Sequence, residues 1–277
     1  MATPKVRSAI SASVSDLAPE LPKRSALHDG RPYLISLVTS SQLSAASEDV
    51  LYELFDANIA PLSAGTSMAH TPGPKRIEMF DPQARYLLAT SLPDSSTLGH
   101  GGDITESDHL AMPGAMPSSA PRSGAQGKGK RRAPPVEVTR EELLGYCGFR
   151  FDTEQTAGTR DAEVVYWSTQ FDETEADHEA TGRIAPQARR MGLGKVLIDE
   201  MEVIGRRRGM DKAMLTCLKN NDPALSFYAK QGYTPDEIDP TRMEEEEEWE
   251  DLGSNPEEED GSHRADYRIL SKVLKAG

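Results

Sequence analysis

The run Arg189-Arg-Met-Gly-Leu-Gly-Lys195 combines residue types that bind anions at a spacing that would aim them at one anion. It lies between an extended segment and the amphipathic run Val196-Leu-Ile-Asp-Glu-Met-Glu-Val-Ile204, so its glycines fall where a strand passes into a helix. Glycine at such a junction lets backbone N–H groups face outward, and the helix N-terminus adds a partial positive charge. A pyrophosphate is the anion best suited to that cradle, and Arg189, Arg190 and Lys195 add full charges. Two nucleotide chemistries fail on spacing. A phosphate-binding hydrolase loop needs Ser or Thr after its lysine, and Val196 follows Lys195. A dinucleotide fingerprint needs a third glycine near Leu197 and an early parallel βαβ unit, and both are missing. A glycine-rich helix start with no ligand stays open as the plain alternative.

The flanking sequence supplies elements to position this turn. The spacing predicts a long helix over Gly192 to Gly209, a buried strand over Lys212 to Lys219, and a helix over Asp222 to Gln231 with Pro223 in its first turn. Upstream, Leu143 to Asp152 and Ala162 to Trp167 read as an antiparallel hairpin. Before it come a helix from Ser47 to Ile59 with Ser47 as its cap, a short helix over Lys75 to Phe80, and a strand over Arg85 to Ala89. Asp266 to Leu274 alternates like a closing strand. The order predicts one mixed α/β domain over 46–277 with a mostly antiparallel sheet.

Other stretches read as lacking structure. Residues 1–45 show no sustained periodicity and are expected to be a mostly disordered tail, with one docking segment at Pro32 to Thr39. A flexible insertion is expected at about 91–138, carrying the basic cluster Lys128 to Arg132, which suits either nuclear import or a solvated linker. A second insertion is expected at about 168–183 and an acidic loop at 244–260.

Composition narrows the function classes. A hydrophobic share of 37% with 27% charged residues fits a globular chain, and a net charge of −14 argues against direct nucleic-acid binding, which needs a basic face. No long apolar run or signal-like start is present, so a cytosolic or nuclear protein with no membrane partner is expected. The only cysteines, Cys147 and Cys217, sit in apolar runs and read as buried thiols rather than disulfide partners or nucleophiles. Six scattered histidines offer no metal-ligand spacing, and no metal is expected.

The turn does not stand alone. Arg189-x-x-Gly192-x-Gly194 is followed, after a helix and a strand, by Asn221-Asp-Pro-Ala224-Leu-Ser-Phe227-Tyr228-Ala-Lys-Gln-Gly232-Tyr233. Two motifs in this order resemble the GNAT acetyltransferases. The resemblance implies the GNAT (acyl-CoA N-acyltransferase) fold and acetyl-CoA as co-substrate. It places the pyrophosphate on Arg189, Arg190, Met191, Gly192, Leu193, Gly194 and Lys195, and the pantetheine arm where the strands at Val164 to Trp167 and Lys212 to Leu218 splay apart. Asn221 matches a residue that contacts the co-substrate, and Tyr228 occupies the position of a general acid for the leaving thiolate. A plain helix-core role for Tyr228 stays open.

Further stretches resemble one branch of that family, the histone-specific N-terminal acetyltransferases of the NatD type. They are Leu54 to Ile59, Lys75 to Phe80, Ala84 to Leu88, Phe149 to Asp152 and Tyr267 to Ser271. The likeness implies transfer of acetyl to the α-amine of a histone tail beginning Ser-Gly-Arg-Gly, by a monomer in nucleus and cytoplasm. Asp152 and Glu154, expected just past a strand end, match the acids that receive this basic peptide, for which charge-assisted pairs are suited. Tyr166 matches a catalytic tyrosine, and His70 stands where the branch has a pocket tryptophan. The sequence also departs from the branch, because Ser168 and Thr169 stand where it carries a tyrosine and a proton-handling glutamate. An α-amine with an ordinary pKa of about 7.7 to 8.0 is partly neutral near pH 7.5, so loss of that glutamate slows the step without forbidding it. A GNAT acting on a lysine or small amine, and a non-catalytic acetyl-CoA or histone-tail binding module, are the rival readings.

Overall fold

The computed structural model describes residues 2–92, 133–156, 161–170, 191–241 and 265–274. Its strands are β1 (Lys23–Ala26), β2 (Pro32–Thr39), β3 (Arg85–Ser91), β4 (Leu143–Glu154), β5 (Ala162–Gln170), β6 (Lys212–Leu218), β7 (Thr234–Pro235) and β8 (Tyr267–Val273). They form one eight-stranded sheet in the order β1-β2-β3-β4-β5-β6-β8-β7. Every neighbouring pair is antiparallel except β5 with β6, which gives the mixed, mostly antiparallel sheet the sequence predicts.

Helices cover both faces. Strand side chains alternate, so one face of β4 carries Tyr146, Gly148, Arg150 and Glu154 while Cys147, Phe149 and Phe151 point the other way. The first face meets α3 (Ala45–Ser63) and α4 (Pro72–Met79): the Tyr146 hydroxyl donates to the Leu51 carbonyl at 3.1 Å, and the Tyr86 hydroxyl donates to the Met79 carbonyl. The second face meets α1 (Pro4–Ser11), whose Ile10 carbonyl accepts from Arg85, and α5 (Leu193–Arg207), whose Leu197, Ile198 and Met201 are fully buried. At Gly205, α5 comes so close to the sheet that an added Cβ would lie 2.6 Å from Leu274 Cδ1 and 3.0 Å from Val165 Cγ2. Between β6 and the β7 region, the buried Lys212 ammonium donates to Asp236 at 2.7 and 3.0 Å. Burial opposes the Asp236 charge, but Lys212, Ser271 and the Ile238 N–H overcome it and hold its carboxyl below the ordinary range.

The structure corrects several boundaries. The expected amino-terminal tail is folded, with α1, α2 (Val14–Leu17), β1 and β2 built from residues 4–39. Two of these elements, α2 and β1, are only four residues long and too short to show a period, and β1, Lys-Arg-Ser-Ala, has no apolar face at all. Pro32 to Thr39 is no docking segment but an internal strand, with Tyr33 and Ile35 buried and both edges paired.

The cap of α3 is Ser44, whose hydroxyl accepts from the Ser47 N–H at 3.1 Å. Ser47 instead sits in the first turn and holds the returning chain, donating to the Val136 carbonyl and accepting from the Val138 N–H. The insertion expected at 91–138 therefore ends earlier, since Val136 bridges Leu43 and Val138 is buried. The insertion expected at 168–183 begins later, since Ser168 to Gln170 extend β5. Its remainder from 171, the basic cluster Lys128 to Arg132 and the acidic loop at 244–260 lie outside the described residues.

Candidate active site

β5 and β6 pair only through Val164, Val165 and Tyr166, opposite Lys212, Ala213 and Met214. Beyond that point β5 stays with β4 as far as Gln170, and β6 stays with β8 as far as Leu218. The two parallel strands thus part, as the resemblance implied, and open a gap in the middle of the sheet. A cavity of about 620 Å³ fills it. Glu154, Tyr166 and His70 line it on the α3 and α4 side, while Trp167, Cys217 and Tyr228 line it on the side of α5 and α6 (Asp222–Lys230). The cavity therefore reaches both faces through the gap, so two ligands can enter from opposite sides and meet at β5.

On the α5 side, Gly192 has φ 80° and ψ 0°, a left-handed conformation that glycine adopts without penalty. No side chain caps the helix at this residue, so outward N–H groups of the first turn are available to an anion. Leu193 is buried and anchors the turn, Gly194 lies in the first helical turn, and Met191 is half-buried before it. Lys195 is exposed, and its ammonium pairs with Asp199 at 2.7 Å along the helix. Arg189 and Arg190 lie outside the described residues.

Asn221 lines the cavity, but its side chain caps α6 by accepting from the Ala224 N–H at 3.2 Å. Tyr228 is half-buried, with its ring edge-on to Trp167 at 5.5 Å and 88°. That places it both in the core and on the cavity wall, and the two readings left open for it are compatible.

On the opposite side the expected acids separate. Both lie within β4 rather than past its end, because the strand runs to Glu154, three residues beyond Phe151, the last of its apolar pattern. Glu154 lines the cavity and accepts a hydrogen bond from the Tyr166 hydroxyl. Asp152 faces the same way but sits outside the cavity wall, 3.8 Å from Arg150, with both side chains nearly half exposed. Arg150 lines the cavity and stands over the Tyr166 ring at 5.6 Å.

His70 is in the wall, its Nε2 3.1 Å from Asp56 Oδ1 and its ring 5.0 Å from Phe55. Burial pushes the Tyr146 and Tyr86 phenols well up, and both hydroxyls are committed to backbone carbonyls, so neither serves as a base. Cys147 is fully buried and burial pushes its thiol up; Cys217 is buried beside the cavity. No cluster able to hold a metal exists among the described residues.

Two residues, one in the wall and one behind His70, were not legible as site residues. Trp167 packs edge-on against Tyr228 and Tyr233 and closes the α6 side of the gap. Asp56 follows Tyr52 by one helical turn and accepts its hydroxyl at 3.3 Å, and that i, i+4 spacing is the only local signal for it.

Residues 127–233 match the model of the Acetyltransferase (GNAT) family, well under half of the chain. No curated protein matches the sequence. Among solved structures, the GNAT domain of S. lividans PAT is similar at 10% identity, covering 91% of this chain and 96% of that one, with a TM-score of 0.44. A GNAT acetyltransferase from Streptococcus pneumoniae covers 88% of this chain and 99% of its own at 12% identity and a TM-score of 0.39. Tetrahymena GCN5 covers 87% and 96% at 9% identity and 0.39. The family match spans the turn, the parted strands and Tyr228, so the segment that builds this cavity is similar to the GNAT acetyltransferases, and the mixed eight-stranded sheet has the GNAT fold.

Proposed function

We propose that this chain moves acetyl from acetyl-CoA to the α-amine of a basic peptide beginning Ser-Gly-Arg-Gly, the tail of a core histone, as enzymes of the NatD type do. The observation that carries the reading is the Glu154 carboxylate, joined to Tyr166, in the wall of a cavity that reaches the parted strands from the α3 and α4 side. A carboxylate there suits a cationic acceptor. The chain's residues fit acetyl-CoA on the other side: the Gly192 turn offers uncapped N–H groups to the pyrophosphate, and β5 beyond Tyr166 leaves its β6 edge free for the pantetheine amides.

In this reading Glu154 and Tyr166 hold the amine near the gap, and Tyr228 gives a proton to the departing thiolate. Backbone N–H groups along the parted stretch of β5 stabilise the oxyanion, which is where preorganised donors contribute most to acyl transfer. Asn221 acts by fixing the start of α6, and so Tyr228, rather than by contacting the co-substrate alone. The chain works as a monomer in nucleus and cytoplasm, with histone tails as its partner and neither nucleic acid nor membrane. No helix among the described residues is long and apolar enough to cross a membrane.

Mass spectrometry of a Ser-Gly-Arg-Gly peptide incubated with acetyl-CoA and the protein tests the reading. The expected product carries one acetyl group on the α-amine. Acetylation of a longer tail peptide that begins Ser-Gly-Arg-Gly, contains a lysine and has its α-amine blocked would move the activity to a lysine acceptor. Acetyl-CoA binding with no peptide product would leave a binding module.

A further inference from the structure

The cavity wall contains a second acid–base device on its acceptor side, outside the Tyr166 and Glu154 pair. His70 lies in the segment between α3 and α4, with its side chain only 10% exposed. Nε2 lies 3.1 Å from Asp56 Oδ1, and in the neutral form of the ring the carboxylate favours a proton on Nε2, which leaves Nδ1 as the atom with the free lone pair. Asp56 is itself steadied by the Tyr52 hydroxyl at 3.3 Å, and the Phe55 ring supports the imidazole at 5.0 Å. An imidazole fixed by a carboxylate on one nitrogen and open on the other is the arrangement that accepts protons in general-base catalysis.

The other titratable groups around it are less suited. Tyr86 and Tyr146 are raised by burial and bonded to carbonyls. From α4, Lys75 stands over Phe55 and pairs with the mostly exposed Glu78, and Arg76 stands over Tyr52. From β4 and β5, Arg150 is a cation and Glu154 is engaged with Tyr166. An α-amine has a proton affinity near pH 7.7 to 8.0, which an imidazole approaches more closely than a carboxylate does. The stretch of β5 where the resemblance implies a tyrosine and a proton-handling glutamate carries Ser168 and Thr169, so a base from elsewhere would speed the step.

We propose that the His70 imidazole, oriented by Asp56, is the general base that deprotonates the acceptor α-ammonium. The inference rests on the acetyl-transfer reading above. His70 Nδ1 takes one proton from the ammonium group, and the freed lone pair forms a C–N bond to the thioester carbonyl carbon. The C–S bond then breaks, the thiolate leaves with its electron pair, and the second proton lost by nitrogen neutralises it through Tyr228. His70 returns its proton to solvent, so each turnover yields amide, thiol and one released proton.

Steady-state kinetics of the full chain with acetyl-CoA and a Ser-Gly-Arg-Gly peptide, taken across the range in which imidazoles titrate, provide the test. We expect His70→Gln to lower kcat on the order of 10²-fold or more near neutral pH, with the acidic limb of the profile flattened and acetyl-CoA affinity unchanged. Added imidazole should restore part of the rate. Asp56→Asn, a positioning change, should shift the acidic limb with a smaller loss. An NMR titration of the wild-type ring, assigned through its contact with the Phe55 ring, should follow the kinetic limb whether or not the variants fold well.

Two results would overturn the inference alone: a His70→Gln enzyme with wild-type kcat and acidic limb, or a wild-type limb that does not track His70 ionisation. A wild-type protein that binds acetyl-CoA yet acetylates no α-amine would overturn the acetyl-transfer reading and this role with it.

Discussion

The Gly192→Ala substitution separates backbone strain from side-chain crowding at the anion turn. Gly192 sits at φ 80°, where a residue with a Cβ is disfavoured by about 1–2 kcal/mol. The added Cβ would also lie 2.7 Å from His28 Nε2, but His28 is exposed and its ring can swing into solvent. The backbone term therefore dominates, and about 1–2 kcal/mol of lost stability is expected. For a domain of this size that corresponds to roughly 2–8 °C in Tm. If the turn escapes the strain by rotating its N–H groups away, acetyl-CoA loses a charge-assisted hydrogen bond worth about 1.5–3 kcal/mol, a rise of about tenfold or more in Kd. Differential scanning fluorimetry and isothermal titration with acetyl-CoA read the two effects. Gly192→Asn, which tolerates the left-handed region better, should recover part of both losses. The reasoning is refuted if Gly192→Ala matches wild type in Tm and Kd. It is also refuted if His28→Ala removes the loss, because crowding and not φ would then have set it.

The two acids of β4 should differ. Glu154→Gln removes a charged partner inside the cavity and should raise KM for the basic peptide about tenfold or more. Asp152→Asn disturbs only a half-exposed pair 3.8 Å from Arg150, worth at most about 1 kcal/mol, and should change KM less than about fivefold; the reverse order would show that the peptide path runs outside the cavity. Stability should also depend on pH through Asp236. Its folded carboxyl titrates below its unfolded one, so its contribution is present above the ordinary carboxylate range and is lost as pH falls through the folded value. Urea midpoints measured from neutral to acid should decline, and Asp236→Asn should flatten that decline while lowering the neutral plateau, since it leaves the buried Lys212 with only the more distant Glu237, at 3.5 Å, as its anion. A slope unchanged by Asp236→Asn would remove this group from the acid response.

The parts of the site that are local in sequence were readable in advance. The glycine turn needs only two residues that accept unusual backbone angles and a helix after them, and both leave marks within a dozen positions. The hairpin, the closing strand and the α6 signature likewise follow from alternation, capping and the spacing of aromatic residues. The amino-terminal elements did not, because β1 gains its strand character from pairing with β2 and not from an apolar face of its own. The same holds for Ser47, whose hydroxyl ties Val136 and Val138 to α3 across a long separation in sequence.

Sequence by itself determined which residues could bind an anion and which carboxylates and phenols were available to handle protons. Only the tertiary structure decided their partners. Three parallel pairs and then a parting of β5 from β6 create the cavity, and that event depends on β4 and β8 holding the two strands from their outer sides. Glu154 falls inside the cavity and Asp152 outside it, although both project from one face of one strand. His70 meets Asp56 because the chain turns back between α3 and α4, bringing together two groups that no sequence spacing links. Periodicity records which face a side chain takes, but the distance between two faces is set by packing, and the chemistry of this site depends on those distances.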